Sequence, residues 1–288
     1  MPGRMLVTGA SGYLGSRVVR HAAAAGWSPV GTYLATPADT ADERLDIRDP
    51  DGVSRLLRRV RPDVVLHAAA GRDRNDWRSN ADGAAHVAVA AAALGVRLVH
   101  VSTDAVFSGR DVHYDETALP DPVNPYGAAK AAAETAVRAV APDAAVVRTS
   151  LIMGDGHGGA ELLTHRLAAG QWRGALFTDE IRTPVHVDDL AEALVELADN
   201  GHRGVLNVAG ADAVSRYELG LLVARRDGLD PTTLPAARSA DTGLPRPLDV
   251  RLRLDRAAAL LRVRLRGARE FLAPPPPPPG RIGTAVRR

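Results

Sequence analysis

The sequence predicts an α/β fold: a doubly wound parallel sheet with helices on both faces and a smaller, partly interleaved C-terminal lobe. Three observations carry this prediction. Between residues 4 and 150, short β-branched apolar runs alternate with Ala-rich stretches of helical length, the order expected of parallel strands joined by crossover helices. The first run, RMLVTG, passes directly into the glycine-rich turn GASGYLG. After residue 150 the alternation loosens, which sets off the second lobe.

The elements follow in order. Residues 4–9, RMLVTG, read as the first strand, and residues 13–25, closing on an Ala run, as the first helix. SPVGTYL (28–34) is the second strand, GVSRLLRRV (52–60) a helix, and PDVVLHAAA (62–70) the third strand. Residues 81–94 are Ala-rich and helical, and VRLVHVST (96–103) is the fourth strand. Residues 126–140 are helical, and DAAVVRTS (143–150) is the fifth strand. Beyond it, helices are expected near 161–169, 187–200 and 216–225, with a short strand at GVLNVAG (204–210). Six prolines at 274–279 stop any helix and favour polyproline II, so 274–288 are read as a disordered tail.

Composition narrows the function classes. Of 288 residues, 45% are apolar and none is Cys, which excludes disulfides, thiolate metal sites and cysteine nucleophiles; no metal site is expected. No apolar run reaches membrane-spanning length and no signal peptide opens the chain, so a cytoplasmic location without membrane partners is expected. The net charge of +2 is uneven: eleven Arg face three acids between residues 246 and 288. These arginines carry no interleaved aromatics, so they read as a solvated face and tail, not as a nucleic-acid surface.

The turn VTGASGYLGSRVV sets Gly9, Gly12 and Gly15 after a strand and at a helix mouth. Glycine is needed there for a tight turn, for approach of backbone to a pyrophosphate, and for close helix packing. The helix N-terminus, with Ser11, Tyr13 and Leu14 beside the glycines, then offers free N–H groups to the phosphates. A Rossmann-type dinucleotide-binding domain is therefore expected over residues 1–150, and a smaller substrate-binding lobe over 151–273.

The Gly-x-x-Gly-x-x-Gly spacing resembles the extended short-chain dehydrogenase/reductase superfamily. That resemblance implies that Asp46 and Ile47, in RLDIRD, hold the adenine ring. It also implies that Ala68, Ala69 and Ala70, in HAAA, pass under the cofactor ribose. His67 reads as a packed strand-end residue. NADP(H) and NAD(H) are both open. The stretch after the second strand, VGTYLATP, has neither an acid for the ribose 2′-OH nor an arginine cluster for a 2′-phosphate, and NADPH is favoured.

The chain contains 35 Arg and one Lys, Lys130, in NPYGAAKAAAE. Tyr126 stands four residues before it, on the same helix face. A phenol near pKa ~10 is a poor acid or base at neutral pH, and an ammonium nearby favours the phenolate. Lysine's point charge can also grip the nicotinamide ribose in a way a guanidinium fork does not reproduce. By the same resemblance, Thr103 in VSTDAVFSG hydrogen-bonds the substrate carbonyl, Ser102 faces the cofactor, Asp104 lies on the substrate side, and Asn80 is structural.

Within the superfamily the chain resembles dTDP-4-dehydrorhamnose reductases. The residues that carry this are HVSTDAVFSG, YDETALPDPVNPYGAAKAAAE, VVRTSLIMG, RTPVHVDDLAEAL and RPLDVRLRLDRAAALLRVRLRGAREFL. The resemblance implies reduction of the 4-keto group of a nucleotide-diphospho-6-deoxysugar by NAD(P)H. Three departures fall where the sugar would sit: Ala105 replaces a tyrosine, Leu151 an aromatic, and GRDRNDWRSN an acidic stretch. They leave open a non-sugar keto substrate of a specialised pathway. Arg182 is the candidate for an anionic group such as a diphosphate, with Arg72, Arg74 and Trp77 as further pocket candidates. A different class, an NAD(P)-binding regulatory protein without turnover, is implied by the related methionine adenosyltransferase β subunits. Asp104 does not discriminate reductase from dehydratase or epimerase chemistry. Self-association into a homodimer is left open.

Overall fold

Met5, Leu6 and Val7 are fully buried, one after another, in β1 (Arg4–Thr8). Burial on both faces is what a central parallel strand requires. The computed structural model describes residues 3–71 and 73–274. Around β1 run β2 (Ser28–Tyr33), β3 (Glu43–Arg44), β4 (Val64–His67), β5 (Arg97–Thr103), β6 (Ala145–Thr149) and β7 (Gly204–Asn207). They form one parallel sheet in the order β7-β6-β5-β4-β1-β2-β3. The order reverses between β1 and β4, and a crevice opens at the C-terminal ends of strands there.

Helices cover both faces. α1 (Tyr13–Ala24) and α6 (Val187–Asp199) share one core, in which Leu14, Val18 and Ala22 meet Leu190, Leu194 and Leu197. α2 (Pro50–Val60), α3 (Gly83–Ala93) and Val137 of α4 (Pro125–Val140) cover the other face over Leu6, Val65 and Val146. Thus α6 and β7, which lie late in the chain, return to the main sheet.

The remaining late residues build a cap. α5 (Gly159–Ala168) and α7 (Arg216–Asp227) pack over small cores around Met153, Val214 and Leu219, and around Leu167, Leu176 and Leu234. Two-residue strands tie it together: Ile181–Arg182 antiparallel to Val214–Ser215, and Val185–His186 parallel to Ile152–Met153. Such pairs have no sequence period, and the sequence does not predict them. Nor does it predict β3, or the π-helical turn Arg78–Asp82 that precedes α3. That turn begins on the Asp76 carboxylate, which accepts from the Ser79 amide and hydroxyl. Apart from Pro274, the predicted tail falls outside the described residues.

Candidate active site

Gly9 adopts φ +72°, and a Cβ on it would lie 2.7 Å from the Ala69 Cα. A Cβ on Gly15 would lie 2.2 Å from the Gly9 carbonyl oxygen, so the helix must meet the turn at a glycine. Gly12 is the N-cap of α1 and brings no capping side chain. The first-turn amides are left for another acceptor.

Beside this turn lies a cleft of about 700 Å³. Of the residues predicted to hold a cofactor, Gly9, Ser11, Gly12, Asp46, Ile47, Ala68, Ala69 and Ala70 line it. Leu14 and Gly15 are buried behind it, and the Tyr13 hydroxyl donates to Asp155 at 2.6 Å. Asp46 accepts from the Arg48 amide at 2.9 Å and from the Arg48 guanidinium, with Nη2 nearest at 2.7 Å. That hydrogen bonding holds its carboxyl below the usual range. A free helix N-terminus, a glycine-rich turn and an acid at the far wall fit a dinucleotide.

The other predicted residues converge at the end of β5. Asn124 caps α4, accepting from the Gly127 amide at 2.8 Å. A Cβ on Gly127 would lie 2.1 Å from the Ala105 carbonyl oxygen. This close approach brings the start of α4 onto the 3-10 turn Asp104–Val106 and sets Tyr126 beside Thr103. Thr103 Oγ1 accepts from the Ala105 amide at 3.2 Å and donates to Asp104 Oδ1 at 3.3 Å. Burial raises the Tyr126 pKa; Asp104 adds to the rise, while Arg74 and Thr103 oppose it.

The cation at the phenol is not the one expected. Arg74 Cζ lies 5.2 Å from the Tyr126 ring centroid. Lys130 is buried, and its ammonium donates to the Val101 carbonyl at 2.8 Å. Burial lowers its pKa to about 8, and Glu134 opposes the fall. The loop that carries Arg74 also lines the dinucleotide cleft with Asp73 and Asp76, so it joins the two parts of the site.

Two expectations are corrected. Ser102 does not face a cofactor: it is buried, and its hydroxyl donates to Glu134 Oε1 at 2.6 Å. Arg182 is not an arm free to take an anion. It is buried and donates to the carbonyls of Ile181 (2.7 Å), Leu248 (2.8 Å) and Pro247 (2.7 Å), with Nε 3.7 Å from Asp104 Oδ2. A buried guanidinium needs acceptors, and this one has found them in the chain. Asp104 is buried between Arg182 and Ser150, whose hydroxyl donates to it at 2.6 Å. Trp77 is exposed, Asn80 is buried and bonded to its own loop, and Arg72 lies outside the described residues.

Sequence reasoning missed the Glu134–Arg148 pair behind Lys130. Arg148 Nη2 donates to Glu134 Oε2 at 2.8 Å and both side chains are almost wholly buried. The signal was present, since Tyr126, Lys130 and Glu134 recur every four residues along α4. His67 and His100, paired across β4 and β5, were also passed over as a unit. Their rings stack at 5.3 Å, His67 Nδ1 shares a hydrogen bond with Thr8 Oγ1 at 2.6 Å, and neither His100 nitrogen has a partner among the described residues.

Residues 3–274 match the family model described as RmlD substrate binding domain. The chain is 37% identical to dTDP-4-dehydrorhamnose reductase of Mycobacterium tuberculosis over 259 residues, 85% of this chain and 82% of the relative. It is 29% identical to methionine adenosyltransferase 2 subunit beta of Rattus norvegicus, over 86% of this chain and 80% of that one. The solved structure of dTDP-4-dehydrorhamnose reductase from Bacillus anthracis in complex with NADP superposes with a TM-score of 0.80. It has 26% sequence identity and covers 94% of this chain and 96% of that one. The glycine turn, the approach of Tyr126 to Thr103 and this likeness along nearly the whole chain agree, and the protein belongs to the RmlD substrate binding domain family of extended short-chain dehydrogenases/reductases.

Proposed function

We propose that this protein is an NAD(P)H-dependent reductase of the 4-keto group of a nucleotide-diphospho-6-deoxysugar, working in the cytoplasm. The observation that carries this reading is the meeting of Thr103 and Tyr126 at the end of β5, beside a cleft shaped for a dinucleotide. The bound cofactor supplies the hydride. Thr103 and Tyr126 bracket the carbonyl oxygen, and Tyr126 gives it a proton as charge develops there. Burial favours the protonated phenol, which suits a proton donor in the reductive direction. Lys130 anchors the turn of α4 that presents Tyr126 and offers an ammonium towards the ribose.

NADPH is favoured by two cations that the sequence did not place. β3 pairs with β2 and sets Arg44 opposite Tyr33, and Arg48 lines the cleft. Either can meet a 2′-phosphate near the end of β2.

The test is a turnover screen that follows loss of reduced-nicotinamide absorbance with dTDP- and UDP-linked 4-keto-6-deoxysugars and with simple keto acids. Turnover of a nucleotide-linked ketone, abolished in Tyr126→Phe, supports the reading. Turnover of keto acids alone moves the substrate to a non-sugar class. Tight dinucleotide binding with no turnover of any ketone supports the regulatory reading.

A further inference from the structure

Tyr126 gives up a proton in the proposed reaction, and the negative charge left on its oxygen calls for a cation. The expected one points elsewhere. The Lys130 ammonium donates to the Val101 carbonyl at 2.8 Å. After burial, its charge is the next influence that pushes the His67 and His100 pKa values down. The cation that faces Tyr126 is Arg74, whose Cζ lies 5.2 Å from the ring centroid.

The fold pins this arginine by its backbone and leaves its charge unspent. Asn80, in the π-helical turn before α3, is 2% exposed. Its Nδ2 donates to the Arg74 carbonyl at 3.0 Å, and its Oδ1 accepts from the Gly71 amide at 3.2 Å. One buried side chain therefore ties down both ends of the segment 71–74. The acids of the loop are occupied within it: Asp73 accepts from the Asn75 amide at 2.8 Å, and Asp76 accepts from Ser79. Among the described residues the Arg74 side chain makes no ion pair or hydrogen bond, and the Tyr126 ring is its neighbour.

The other charges around Tyr126 are committed or turned away. Asp104 is tied to Arg182 and Ser150, and Lys130 lies one turn along α4. Arg216, at the start of α7, has its pKa lowered by burial first and by Arg74 among its neighbouring charges. Burial pushes the Tyr126 phenol up; Arg74 is the next influence and draws it down, Asp104 pushes it up, and the Thr103 hydrogen bond draws it down. A guanidinium over an aromatic face is attracted by the neutral ring, and more strongly by a phenolate.

We propose that Arg74 is the cation that stabilises the Tyr126 phenolate formed during reduction. The carbonyl carbon receives hydride from the cofactor, which is oxidised as the ketone is reduced. The carbonyl oxygen takes the Tyr126 proton, and the O–H electron pair stays on Tyr126 as phenolate beside the guanidinium. Arg74 acts through Tyr126 and leaves Lys130 to hold α4 and the ribose. The proposal rests on the reading of Tyr126 as the proton donor.

The test is an NMR titration of the NADP-loaded enzyme, isotopically labelled at tyrosine Cζ, from pH ~8 to ~11. Tyr126→Phe identifies the Tyr126 signal among the five tyrosines. Arg74→Gln is expected to cut the Tyr126 phenolate fraction by about 3- to 10-fold, the loss of a cation over an aromatic face. Arg74→Lys should restore most of it, and Lys130→Met should change it less than Arg74→Gln does. Turnover of Arg74→Gln should fall by about the same factor with NADPH affinity kept. Because the Arg74 side chain is exposed, Tm should stay at the wild-type value. Equal phenolate fractions in wild type and Arg74→Gln, no wild-type phenolate by pH ~11, or a larger loss in Lys130→Met each overturn the proposal. The titration needs no substrate. An Arg74-dependent phenolate in an enzyme that reduces no ketone supports the pairing of Arg74 with Tyr126 and overturns the proton-donor reading beneath it.

Discussion

Glu134→Gln separates charge from shape behind Lys130. The wild-type carboxylate accepts from Arg148 at three distances, 2.8, 3.1 and 3.2 Å, and from Ser102 at 2.6 Å. Arg148 is 1% exposed and carries one other hydrogen bond, to the Ala118 carbonyl at 3.0 Å. Glutamine fills the same volume, so no cavity opens, but it leaves a buried guanidinium without a counter-charge. Breaking a buried pair in this way costs about 3–5 kcal/mol. At roughly 2–4 °C per kcal/mol for a chain of this size, Tm should fall by roughly 6–20 °C. The second readout is kinetic. Lys130 has its pKa lowered to about 8 by burial, and Glu134 opposes that shift. Without the carboxylate, Lys130 loses its proton at lower pH, and the alkaline fall in turnover should begin earlier than in wild type. Thermal denaturation and a pH–rate profile on the same preparation measure both. A Tm within about 2 °C of wild type, together with an unmoved alkaline limb, would refute the assignment of Glu134 as the charge that holds both Arg148 and Lys130.

Other perturbations test the rest of the site. Lys130→Arg should reduce turnover at least ~100-fold. The Val101 carbonyl is placed for an ammonium at 2.8 Å, and the longer planar group misplaces that contact; near-normal turnover between pH ~6 and ~9 contradicts the mechanism. Tyr126→Phe should lose at least as much while NADPH affinity is kept, and the double variant should lose little more, since residues acting as a unit are non-additive. Asp46→Ala should weaken dinucleotide binding by roughly 1.5–3 kcal/mol with little change in Tm, and unaltered calorimetric affinity removes it from the adenine site. His67 has its pKa lowered to about 3 from 6.5, by burial first and then by Lys130, and His100 is pushed down in the same way. Below pH 6.5 the unfolded chain takes up a proton that folded His67 refuses until near pH 3, and folded His100 refuses its own in the same direction. Stability from this pair is therefore complete above 6.5 and lost as the pH falls. His100→Phe should flatten the fall in Tm between those limits, and an unchanged acid profile shows that the pair does not set it.

The sequence by itself determined most of the parallel sheet and the place of the glycine turn and of the Tyr126–Lys130 pair along it. Buried parallel strands write continuous apolar runs, crossover helices write Ala-rich ones, and the glycine turn lies where backbone meets backbone at Ala69. Tyr126 and Lys130 could be read because a helix repeats every four residues. Tertiary structure decided which partner each charge takes, because such pairings join residues far apart in the chain. Arg182 looked like a free arm in IRTPVH, yet the 247–248 carbonyls close over it. Ser102 looked like a cofactor contact, yet α4 brings Glu134 to it across 32 residues. Arg74 reached the face of Tyr126, and among the described residues Arg216 was left without a partner, once Arg182 and Arg246 had taken Asp104 and Glu180. Local sequence fixes periodicity and turn chemistry; a buried charge is assigned by whichever acceptor the completed fold sets within hydrogen-bond reach.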